Sequence, residues 1–233
     1  GKRVGFGRIP MRPHSLPLVM LGAALLWFGW FGFNAGSAVA SNGTAGLALL
    51  NTIGATTAAL LSWLLVEKIR DGHATSLGAA SGVVAGLVAI TPACAAVNAS
   101  GALIIGFVAG AICALSVGLK FKFGFDDSLD VVAVHLVGGI VGTVMIGFVG
   151  VDVGIFDGGG TEQLVKQVIG VGAVFAYSFI ATMIIGKIID LTIGFRISQD
   201  QEVAGIDLAI HAERAYELSD NGQGSVLGNS KGV

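Results

Sequence analysis

The chain has 233 residues, of which 54% are hydrophobic and only 12% charged, with a net charge of −2. A soluble domain carries about 25% charged residues. With a mean hydropathy of +0.83, this composition excludes an ordinary water-soluble globule and describes an all-α polytopic membrane protein. The small net charge selects no partner and gives no reason to expect nucleic acid.

In chain order, residues 1–15 hold Lys2, Arg3, Arg8 and Arg12 and read as a loop. Six apolar spans follow, over about 16–38, 43–66, 76–97, 101–119, 127–151 and 163–195, each long enough for a membrane helix. Pro92 falls near the end of the third. The sixth exceeds a bilayer, and Lys187 and Asp190 place the end of its spanning part near Gly186. Lys and Arg mark the cytoplasmic side. They occur before the first span, at Lys68 and Arg70, at Lys120 and Lys122, and after the sixth at Arg196 and Arg214. The loops 39–42, 98–100 and 152–162 have none, so both ends of the chain are expected on the cytoplasmic side of the cell membrane. The 37 glycines include the spacings Gly32-x3-Gly36, Gly78-x3-Gly82-x3-Gly86, Gly106-x3-Gly110 and Gly138-x3-Gly142, which favour close helix packing. The expected organisation is a transmembrane domain over 1–197, a cytoplasmic regulatory tail over 198–217 with a short helix near 205–217, and a Gly/Ser/Asn-rich end over 218–233 that reads as disordered. The start at Gly1, inside a basic segment, suits a fragment of a longer protein.

The stretch DDSLDVVAVHLVGGIVGTVMIGFVG, 126–150, concentrates the functional signal. His135 sits inside an apolar run, roughly 12 Å along a helix begun at Asp127. A histidine at that depth faces the protein interior or a cavity and is a functional candidate by default, against a packing role of similar weight. Gly138, Gly139 and Gly142 follow it at helical spacing and leave room for a neighbouring helix or a narrow lumen. In GWFGFNAGSA, 29–38, Trp30, Phe33 and Ser37 share one helical face. Two rings and a hydroxyl can meet a small cation, although an interfacial aromatic belt is the plainer reading. The acids Asp126, Asp127 and Asp130 suit helix capping better than metal binding. Cys94 and Cys113 have no metal spacing and read as small core residues, and Gly158, Gly159 and Gly160 read as a linker. No nucleophile–base pair, HExxH or Walker loop points to an enzyme.

Three segments, PHSLPLVMLGAALLWFGWFGFNAGSA, GAASGVVAGLVAITPACAAV and DDSLDVVAVHLVGGIVG, with the tail GIDLAIHAERAYE, resemble the second half of ammonium transporters of the Amt/Mep/Rh family. The resemblance implies a fold of eleven transmembrane helices whose first ten form inverted repeats, of which this chain supplies the second repeat and the final helix as six spans. It implies a homotrimer with one narrow pore per subunit and no metal or cofactor. It makes Phe33 one of two stacked pore phenylalanines, Ser37 part of the outer ammonium-recruitment site, Trp30 a pore-lining residue below the gate, and His135 one of two midpore histidines. It also implies a tail that couples the subunits and a PII-type signal protein at the cytoplasmic pore mouth. The implied function is passage of ammonium or ammonia across the lipid bilayer. The alternative is an ammonium sensor signalling to a cytoplasmic partner.

Overall fold

The computed structural model describes residues 2–214 and residue 216. All six apolar segments are helical: α1 (Leu16–Gly36), α2 (Gly43–Asp71), α3 (Ser76–Ile90), α4 (Ala99–Ser116) with the short α5 (Leu119–Phe123) after it, α6 (Gly138–Val149) preceded by a π-helical segment Val132–Val137, and α7 (Glu162–Thr192). A short α8 (Gln199–Ala204) follows. Polar side chains open α1 to α4. Ser15, Asn42, Thr75 and Asn98 each accept a bond from a backbone N–H three residues on, at 3.4, 3.0, 2.8 and 2.9 Å. Among the described residues, five helices are long and apolar enough to cross a membrane. The protein is a multi-pass membrane protein.

α3 is the exception in length, with 15 residues. Pro92 lacks the N–H that would continue the helix, and the chain proceeds as turns through Ala96. The carbonyls released there are met from another helix: the buried Asn51 side chain donates to Cys94 O at 2.9 Å and to Val97 O at 2.7 Å. Val151 N donates to Ala96 O at 3.0 Å, tying this turn to the chain beyond α6.

α2, α3 and α4 form the core, and small residues set their spacing. A Cβ at Gly106 of α4 would lie 2.7 Å from the Ala55 Cα of α2, and one at Gly86 of α3 would lie 2.7 Å from the Thr56 Cα. Gly82 and Gly110 are placed likewise against Leu60 and Ala59, and Gly142 of α6 against Ala89 of α3. Gly32 and Gly36 of α1, which have the same spacing, face open space. Among the described residues, α1 buries only Asn34 and α7 buries none. The bundle therefore has a packed centre with an open face along α1.

Two expectations change in detail. The fifth span does not begin its helix at Asp127. The Asp127 carboxylate accepts from Val131 N at 3.0 Å and Val132 N at 2.8 Å, so it caps a helix that starts about four residues later. α7, with 31 residues, is longer than a bilayer crossing needs, as expected, and pairs Lys187 with Asp190 at 3.7 Å on its surface. The glycines at 158–160 form a built turn rather than a slack linker. Gly158 and Gly160 have φ of +85° and +71°, and a Cβ at Gly159 would strike the Val153 backbone. The segment 218–233 lies outside the described residues. The 205–217 segment contains a single π turn, Asp207–His211, with Ala215 and Glu217 also outside them.

Candidate pore face

Trp30 and Phe33 lie on α1 and Ser37 is its C-cap, and Phe33 contacts each of the other two. The Trp30 and Phe33 ring centroids are 5.6 Å apart, tilted by 59°. Ser37 Oγ donates to Phe33 O at 2.6 Å, which leaves its lone pairs outward. Trp30 is fixed from behind: its Nε1–H donates at 2.8 Å to Thr91 Oγ1, whose own hydroxyl donates to Leu87 O at 2.7 Å. This bond sets the indole on the end of α3 and leaves Phe33 62% exposed on the open face. Asn34, the one buried residue of α1, donates to Thr52 Oγ1 at 3.0 Å and holds α1 against α2.

His135 is exposed and stands near the start of its helix. With helical backbone from Val131, it lies about 6 Å along rather than 12 Å. Its neighbours also differ from a regular α-helix. The backbone over Val132–Val137 is π-helical, and Gly138 N–H bonds to His135 O. Gly138 packs against Cys113 of α4 and Val88 of α3, Gly142 packs against α3, and Gly139 faces open space. A π turn widens the helix locally and turns the residues after it.

His135 lines a groove of about 950 Å³ with Val19, Ala23 and Leu26 of α1 and Val84 of α3. The groove does not include Trp30, Phe33 or Ser37. The two sets are nevertheless continuous. Val19, Ala23, Leu26, Trp30, Phe33 and Ser37 follow one another at spacings of four, three, four, three and four, one stripe along α1. His135 flanks the lower part of this stripe and the aromatic pair with Ser37 forms the upper part.

The three acids before His135 are engaged singly. Asp126 accepts from Arg3 N at 2.6 Å and pairs with the Arg3 guanidinium. Asp127 caps the helix, and Asp130 pairs with Lys120 at 2.6 Å. Three partners escape sequence reading: Arg3 behind Asp126, Thr91 behind Trp30 and Lys120 behind Asp130. A Trp N–H at the edge of a core predicts some acceptor, but not which one. Nothing in the ten-residue gap between Lys120 and Asp130 marks them as partners.

Residues 1–216 match the Ammonium Transporter Family. The "Ammonium transporter" of Mycobacterium tuberculosis is 56% identical over 97% of this chain and 50% of its own length. "Ammonium transporter Amt1" of Archaeoglobus fulgidus is 44% identical over 93% of the chain and 56% of its own. The crystal structure of Candida albicans Mep2 superposes with a TM-score of 0.77 at 36% identity, covering 84% of this chain and 46% of Mep2. A structure described as "Sensor Amt Protein" gives 0.78 at 31% identity, covering 84% and 49%. The chain belongs to the ammonium transporter family. It spans about half the length of the curated relatives it matches.

Proposed function

We propose that this chain forms one wall of a pore that passes ammonium or ammonia across a membrane. The observation that supports it most is the continuous α1 stripe with His135 beside it, in a chain whose relatives are named ammonium transporters. In this reading the Phe33 ring and the Ser37 lone pairs receive the cation at the upper end, and Trp30 lines the pore below the gate. Aromatic faces attract ammonium by cation–π contact, worth about 0.5–2 kcal/mol. Phe33 acts as part of a gate. His135 contacts the permeating species lower down, where an imidazole can accept or donate a hydrogen bond with different nitrogens. The exposed sides of Phe33 and His135 face the other pore wall. The molecule works as a homotrimer in a cell membrane, with both ends of this chain cytoplasmic. The tail packs beneath the neighbouring subunit and couples the pores, and a PII-type signal protein is its partner there. Within the chain the tail meets the N-terminal segment: Val4 N–H donates to Glu202 Oε1 at 2.8 Å, and the His14 and Tyr216 rings lie 5.4 Å apart.

The test is labelled methylammonium uptake by a fusion that places the unmatched half of the Mycobacterium tuberculosis relative ahead of Gly1. Ser37→Ala and Phe33→Ala should raise KM, since they weaken capture. His135→Ala should lower the maximal rate about 10- to 100-fold and relax exclusion of other monovalent cations, with the folded yield unchanged. Uptake and selectivity equal to the unaltered fusion in all three would reject the pore reading. The sensor reading stands second, because a structure so described superposes equally well. Ligand binding without any uptake by the fusion would favour it.

A further inference from the structure

Lys120 is a buried ammonium, 8% exposed, outside the α1 stripe and without a role in the pore reading above. Its Nζ donates to Asp130 Oδ1 at 2.6 Å and to Asp127 O at 3.1 Å, and lies 5.3 Å from the Phe121 ring centroid. Both acceptors belong to the five residues that precede the His135 helix. Asp127 in turn holds the N–H groups of Val131 and Val132, and Asp130 O accepts from Val134 N at 2.8 Å. Asp130 itself sits at φ +57°, a left-handed conformation that costs a non-glycine residue energy and persists only when its surroundings impose it. A continuous set of bonds therefore runs from one cation through two acids to three residues of the helix, Val131, Val132 and Val134, the last of which directly precedes His135. Lys120, Asp130 and His135 line the same groove.

We propose that Lys120 and Asp130 form a clasp that positions His135, fixing the depth and rotation of the π-helical segment Val132–Val137. This rests on the reading of His135 as a pore residue. The pair touches no permeating species in this role and acts through the backbone. Neutralising either partner frees the 126–130 turn to leave its left-handed conformation, and the imidazole moves with it.

The experiment uses the same fusion with Lys120→Met, Asp130→Asn and the double variant. Asn keeps a hydrogen-bonding side chain and tolerates positive φ. Maximal methylammonium uptake should fall about tenfold or more in each single variant, as misplacement by about 1 Å can cost 100-fold. KM, set at the upper end by Phe33 and Ser37, should stay within about twofold. The double variant should lose no more than the worse single one, because both remove one interaction. Amide exchange should quicken across 131–135 and not in α2 or α3. Unchanged maximal uptake in Asp130→Asn overturns the proposal, as do additive losses or a rise in KM equal to the fall in rate. If Lys120→Met fails to fold, Asp130→Asn alone decides. Faster exchange at 131–135 together with a His135→Ala variant that transports normally rejects the pore role of His135 and leaves the clasp standing as a structural device.

Discussion

Each acid in 126–130 has its own partner, and each partner comes from a different part of the chain: Arg3 from the N-terminal segment, backbone N–H groups from the helix ahead, and Lys120 from α5. A local pattern shows only the second of these, because capping is a contact between near neighbours. The Trp30–Phe33–Ser37 face was legible for the same reason, since helical spacing alone puts the three side chains together. Trp30–Thr91 and Lys120–Asp130 were not legible, as the first joins two elements and the second spans a turn with strained backbone. Gly205 has φ of +92° with ψ of 132°, a region open to glycine and strained for other residues. Gly205→Asp in the fusion should therefore displace the tail and lower uptake while leaving the amount of trimer unchanged. Equal uptake at equal trimer yield would show that the tail does not act on the pore.

At the scale of elements, the glycine spacings announced close packing without saying where. Gly106, Gly110, Gly82 and Gly86 meet α2 backbone or Cβ atoms, whereas Gly32 and Gly36 meet nothing within 4 Å. A small-x3-small face permits close approach, and the partner helix decides whether it is used. The same applies to the length of α3, where an apolar run reached residue 97 but the helix stops at Ile90 because of Pro92 and the waiting Asn51 amide. Gly106→Val should force α4 away from α2 at Ala55 and destabilise the purified chain by about 1–3 kcal/mol. Gly32→Ala, pointing into open space, should not destabilise the chain and should add up to about 0.5–1 kcal/mol, because alanine is the better helix residue. Thermal unfolding in detergent measures both. Equal melting temperatures for the two variants would contradict this packing.

For the whole molecule, the charge alternation predicts which side each loop occupies. In a background with Cys94→Ala and Cys113→Ala, cysteines at 70 and 122 should react with an impermeant thiol reagent only after the membrane is opened. One at the 76% exposed Phe156 position should react in intact cells. Labelling of 70 or 122 from outside would reverse the orientation. The open face matters more. Phe33 and His135 are exposed, α1 is almost unburied, and the matched relatives are about twice as long as this chain. In the proposed reading these features form one side of a conduit.

Uptake of labelled methylammonium by vesicles tests that description directly, with residues 1–233 alone compared with the fusion at equal amounts of folded protein. The chain alone should take up no more than empty vesicles, while the fusion should take it up in a manner that unlabelled ammonium competes. Competed uptake by the chain alone, or none by a folded fusion, would contradict the claim that this chain is one wall of an ammonium pore.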